Sequence, residues 1–181
     1  SWTNNNTGIG LGASGTGNLP SFTATNTGSA PVTATITVTP SFEGCPGTAQ
    51  TFTITVNPAG QVNDPADQLR CNGAATAAVS FGTTNSGGTT TYAWSNSNTS
   101  IGLGASGTGN IPSFTATNTG TSPVTATITV TPSFEGCPGT AQTFTITVNP
   151  SGQVNDPADQ ELCHGSATAA VTFGTNRTGG T

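Results

Sequence analysis

Four cysteines, one histidine and seven acidic side chains are the groups of this 181-residue chain whose types could do chemistry. Their spacing argues against most of it. Cys45, Cys71, Cys137 and Cys163 show neither the Cys-x-x-Cys spacing of a metal or redox site nor a histidine in ligand register, so structural bridges are expected. His164 stands alone. General acid–base catalysis or a zinc centre needs partners at suitable spacing, and a solvated turn residue is the expected reading. Gly102 to Gly109 is rich in glycine but lacks a lysine and a strand-to-helix context, which excludes a phosphate loop. Asp64, Asp67 and Glu135, with Asp156, Asp159 and Glu43 as their counterparts, are weak calcium candidates, because a hard cation collects oxygen ligands. Asn-Asp-Pro-Ala-Asp-Gln lacks the carboxylate density of an EF-hand loop, so solvated turns are expected there instead. No catalytic residue and no cofactor is expected.

The charge balance narrows the partners. Only Arg70 and Arg177 are basic, lysine is absent, and the formal net charge is −5. A phosphate backbone is bound through clustered Lys and Arg, so nucleic acid is excluded as a partner, and an anionic membrane surface is disfavoured for the same reason. No stretch approaches the roughly 20 apolar residues needed to cross a bilayer, so no membrane insertion is expected. Without lysine, Lys–Asn isopeptide crosslinks are impossible.

The elements that must position these residues come in a repeat. Trp2 recurs as Trp94, Cys45 as Cys137 and Cys71 as Cys163, each 92 residues on, and VTATITVTPSFEGCPGTAQTFTITVNP recurs without a change. A domain-sized period means one fold used repeatedly. With a boundary after each Val-Asn-Pro, residues 59–150 form one complete unit, 1–58 the later part of another and 151–181 the beginning of a third. Together the two partial pieces supply every strand of one unit. The reading favoured here is a window on a longer polypeptide of consecutive units. The alternative is separate subunits, the tail of one donating strands to the head of the next, a contact that generates a filament.

Within Val124 to Thr131 apolar residues take every second place, and Phe144 to Val148 repeats the device. Period two is the strand signature, with Val124, Ala126, Ile128 and Val130 facing inward and Thr125, Thr127, Thr129 and Thr131 outward. Further predicted strands are 61–70, 76–81, 90–95, 101–103 and 113–117, with Gly and Pro at the joins. The pattern predicts an all-β fold, an antiparallel immunoglobulin-type β-sandwich of 92 residues, with Trp94 packed beside Phe81, Phe114, Phe144 and Ile128. Cys71 follows the first strand and Cys137 precedes the last, which predicts a Cys71–Cys137 bridge at one end of the sandwich. Closing that loop would stabilise the unit by roughly 4 kcal/mol. Cys45 and Cys163 would pair with neighbouring segments, or with each other across subunits. Such bridges imply an extracellular or cell-surface location.

The outward Thr-x-Thr rows offer a second function class. Regular hydroxyls and methyls on a flat sheet could bind ice or carbohydrate, although sheets normally twist, and a water-facing strand surface is the preferred reading.

CNGAATAAVSF, YAW, IGLGASGTGNIPSFTATN and QTFTITVNP, in that order, resemble the PKD-like, immunoglobulin-like repeat of very large surface and secreted proteins of Bacteroidetes-type bacteria. The resemblance covers essentially the whole chain. It implies a β-sandwich repeated as an extracellular stalk, adhesin or fibre, exported by the type IX system, its partners being further copies of itself head to tail, and surface glycans or other cells. It supplies no active site. An accessory domain of a secreted hydrolase is a further alternative.

Overall fold

The computed structural model describes residues 1–178. Alternation becomes strand wherever the apolar face has something to cover. In the complete unit the strands are β7 (Gln68–Cys71), β8 (Thr90–Asn96), β9 (Ser106–Thr108), β10 (Val124–Phe134), β11 (Cys137–Pro138) and β12 (Gln142–Asn149), forming one sheet in the order β7-β12-β10-β8-β9, with β11 on β10. All pairs are antiparallel except β7 with β12, which is parallel. The opposite wall is looser. Residues 74–79 run against 111–116 through isolated bridges at Ala75–Thr115 and Val79–Ile111.

The core lies between these two walls. Ala126, Ile128 and Val130 of β10 and Phe144, Ile146 and Val148 of β12 are buried, facing Val79, Phe81, Trp94, Ile111 and Ala116, with Phe114 partly buried beside them. The expected cluster around Trp94 is therefore present. Across the outer face the register sets threonine against threonine, at Thr125–Thr147, Thr127–Thr145 and Thr129–Thr143. Thr125 and Thr147 share a hydroxyl hydrogen bond of 2.9 Å. β-Branched residues suit such a half-exposed pleated surface.

Residues 1–58 repeat part of this plan. β1 (Trp2–Asn4), β2 (Ser14–Gly15), β3 (Val32–Val38) and β6 (Gln50–Val56) form an antiparallel sheet in the order β2-β1-β3-β6, and β4 (Ser41–Phe42) pairs with β5 (Cys45–Pro46). Its core is separate, built from Trp2, Ile9, Leu11, Ala34 and Ile36.

Four predicted strands need correction, and two of them, 76–81 and 113–117, carry only isolated bridges and no continuous strand. Residues 101–103 are not a strand, because Thr99–Ile101 is a turn of 3-10 helix, started by Asn98 Oδ1 accepting the Ser100 amide and ended by Gly102 at φ 95. The first strand spans 68–71 rather than the predicted 61–70.

Candidate self-assembly interface

The complete unit shows what its first 30 residues do. β7 lies along β12, with Ile146, Thr147, Val148 and Asn149 opposite Gln68, Leu69, Arg70 and Cys71. Just ahead of it, Asp67 Oδ1 accepts the Thr145 amide at 2.6 Å. The Gln68 side chain clasps Ala77, its Oε1 accepting the Ala77 amide at 2.9 Å and its Nε2 donating to the Ala77 carbonyl at 3.1 Å. That clasp aims the following segment, so that Val79 and Phe81 enter the core.

Residues 1–58 lack this cover. β6 ends its sheet, and among the described residues no strand pairs with its outer edge. The result is visible side chain by side chain. Phe52 is 45% exposed where its counterpart Phe144 is 2% exposed. An unpaired strand edge beside uncovered apolar side chains is a template for another strand.

The tail of the chain has the complementary form. In residues 151–178 the Gln160 Oε1 accepts the Ala169 amide at 2.8 Å and Nε2 donates to the Ala169 carbonyl at 3.0 Å. This is the Gln68–Ala77 clasp moved by one period. The Asn155 amide bonds the Gly174 carbonyl and the Ser166 amide the Cys163 carbonyl, as Asn63 does with Gly82 and Ala74 with Cys71. The segment is thus folded on itself like residues 59–86, but among the described residues its apolar side chains cover no sheet. Phe173 is 72% exposed where Phe81 is 9% exposed, and Val154, Leu162 and Val171 are exposed with it.

Successive units meet through one repeated contact. The Ser86 amide donates to the Ser29 carbonyl at 2.8 Å, and one period later the Thr178 amide donates to the Thr121 carbonyl at 2.9 Å. Asn85 Nδ2 adds bonds to the carbonyls of Ser29 and Ala59, while Arg177 reaches the Gly120 carbonyl. The connector is held tightly: the Gly60 amide bonds the Cys137 carbonyl at 3.2 Å. A Cβ on Gly139 would fall 1.6 Å from the Gly60 carbonyl, so only glycine permits this approach.

The predicted chemical groups are scattered. Cys71 and Cys137 are not brought together: Cys71 stands beside Asn149 at one end of the sheet, whereas Cys137 pairs with Phe134 at the other. The 11-residue β10 separates them by about 33 Å of extended backbone, far beyond the reach of a disulfide, and all four thiols are free. The calcium candidates fare likewise. Asp67 and Glu135 already accept backbone amides, of Thr145 and Thr89, each at 2.6 Å. Asp64, Asp156 and Asp159 are exposed, and the described residues contain no group of three or more potential metal ligands. His164 is exposed. No helix among the described residues is long and apolar enough to cross a membrane.

Sequence reading missed the main feature of this surface, the preformed Gln160 clasp. The repeat offset could have found it, since Gln160 and Ala169 fall on Gln68 and Ala77. In the comparisons with known proteins, no family model matches the chain and no curated protein is similar to it.

Proposed function

We propose that this chain is a structural unit of an extracellular bacterial fibre, stalk or adhesin, in which immunoglobulin-like β-sandwiches follow one another head to tail. In the assembly proposed, residues 151–178 of one copy lie along β6 of a second copy, as β7 lies along β12. The observation that carries this reading is the match between the two ends. The tail holds the internal hydrogen bonds of residues 59–86 with its apolar side chains exposed, and β6 holds the sequence of β12 with its outer edge unpaired among the described residues.

The physics favours the union. Joining would bury Phe173, Val171 and Phe52, as Phe81, Val79 and Phe144 are buried in the complete unit, and burying a large apolar side chain contributes about 1.5–3 kcal/mol. It would also satisfy the outer amides and carbonyls of β6. The contact is heterologous, and where the rotation from copy to copy does not close a ring the product is an open thread. An extracellular location and the resemblance to PKD-like surface repeats belong to the same reading.

Electron microscopy and mass photometry of the purified chain test it. Beaded threads whose mass rises in steps of 17.7 kDa are expected. The double substitution Val171→Asp with Phe173→Asp alters two exposed residues, and so should leave the unjoined chain folded while abolishing the threads. A concentrated wild-type sample that stays at the mass of one chain overturns the proposal.

A further inference from the structure

We infer that the four cysteines serve the joints between units: each joint is closed by a disulfide between the Cys71-type thiol of one unit and the Cys137-type thiol of the next. This inference rests on the head-to-tail reading and names its covalent partner residues.

The geometry follows from two ends of one connector. At the trailing end of the complete unit, Cys71 stands beside Asn149, and its neighbour Asn72 donates its amide to the Asn149 carbonyl at 2.8 Å and its Nδ2 to Ser151 Oγ at 3.2 Å. Asn72 Oδ1 also accepts the Asn118 amide at 2.8 Å, which fixes this corner. At the leading end, the Cys137 carbonyl accepts the amide of Gly60, whose counterpart one period later is Gly152. The Cys71 corner is therefore tied to Ser151, and the equivalent of Cys137 in the following unit is tied to Gly152, the very next residue. Two thiols tethered to consecutive residues meet at one joint. Within a unit the same register holds the two cysteine types at opposite ends, which removes both the Cys71–Cys137 bridge and a Cys45–Cys163 bridge inside a completed unit.

Between two copies, the assignment is specific. Cys71 of the donor pairs with Cys45 of the acceptor, at the joint leading into the shared unit. Cys163 of the donor pairs with Cys137 of the acceptor, at the joint leading out of it. Cys45, Cys71 and Cys163 are exposed and Cys137 is partly so in the unjoined chain, which leaves them open to exchange. The step balances with a small-molecule disulfide as oxidant. The Cys71 thiolate attacks it and forms a mixed disulfide, releasing one small thiol. The Cys45 thiolate then displaces the second small thiol, so the two protein thiols are oxidised and one small disulfide is reduced to two thiols.

Electrophoresis without reductant, after assembly in an oxidised/reduced glutathione buffer, tests the pairing. A ladder in multiples of 17.7 kDa is expected, collapsing to one band on reduction. The double substitution Cys45→Ser with Cys71→Ser retains the Cys163–Cys137 pair and should keep the ladder. Cys71→Ser with Cys137→Ser leaves only Cys45 and Cys163 and should lose it, while mass photometry still finds threads. A ladder in this last variant, or wild-type threads without any crosslink, overturns the disulfide assignment and spares the head-to-tail reading. Absence of threads under every condition overturns both.

Discussion

Trp94 packs so closely on Gly107 that a Cβ at residue 107 would lie 2.3 Å from Trp94 Cζ2, and Trp2 meets Gly15 at the same distance. The glycine makes room for the largest side chain of each core. Replacing Gly107 by alanine forces the indole or the strand to move, and overpacking of this kind costs about 1–3 kcal/mol. Gly104, which has open space around its Cβ position, is the control. Urea denaturation followed by tryptophan fluorescence should show Gly107→Ala lowering the midpoint and Gly104→Ala leaving it nearly unchanged.

The hairpins around Glu135 and Glu43 carry the same strain with different compensation. Glu135 and Gly136 both have positive φ, at 46° and 84°, and Glu43 and Gly44 match them at 48° and 80°. Such two-residue hairpin loops favour glycine or asparagine, and a non-glycine residue there costs about 1–2 kcal/mol. Glu135 recovers part of this by accepting the Thr89 amide. Glu43→Gly should therefore stabilise the chain by about 1 kcal/mol, whereas Glu135→Gly should gain little or lose. Thermal denaturation of the two variants side by side checks the difference.

Asp67 holds the Thr145 amide at 2.6 Å where β12 has not yet met β7. Removing the acceptor leaves that amide to water, and an exposed hydrogen bond of this kind contributes about 1 kcal/mol. Asp67→Ala should lower stability by about that amount. Asp67→Asn, which keeps a side-chain oxygen, should recover part of it in the same denaturation assay.

Much of the fold was legible because threonine and aliphatic residues alternate without interruption. That pattern located the paired part of β10 and β12, and Trp94 with four named neighbours located the core. It stopped short at Thr131, where the alternation meets Pro132. β10 continues to Phe134 because Val130–Gln142 is its last pair with β12, so on that flank Pro132 owes no ladder bond. The turn at Thr99–Ile101 was hidden by Ile101 and Leu103, whose spacing imitates a strand while Asn98 and Gly102 cap a helical turn. The cysteine pairing failed for a topological reason. Order along the chain places Cys71 and Cys137 near strand ends but does not say which ends are neighbours, and a parallel β7 puts them at opposite ones. The proposed interface was half legible. The repeat showed that two partial pieces add up to one unit, but the folded form of the tail lies in the Gln160–Ala169 hydrogen bonds, which appear in the sequence only by carrying Gln68 and Ala77 forward one period.

That preformed tail makes one amide decisive. Thr53 occupies in β6 the place that Thr145 occupies in β12, and the residue equivalent to Asp67 is Asp159 in the tail. Thr145 has its carboxylate acceptor within the chain, whereas β6 stands at an open sheet edge. In an unjoined chain the Thr53 amide should exchange its hydrogen freely, like any water-facing edge group, while Thr145 is protected. On assembly Asp159 of the donor copy should take the Thr53 amide and slow its exchange by at least about tenfold, the equivalent of 1.4 kcal/mol of local protection. Asp159→Ala should remove most of that slowing without touching Thr145. Residue-resolved hydrogen exchange on dilute and assembled samples measures both amides at once, and equal exchange at Thr53 in the two samples would place the donated strand somewhere other than beside β6.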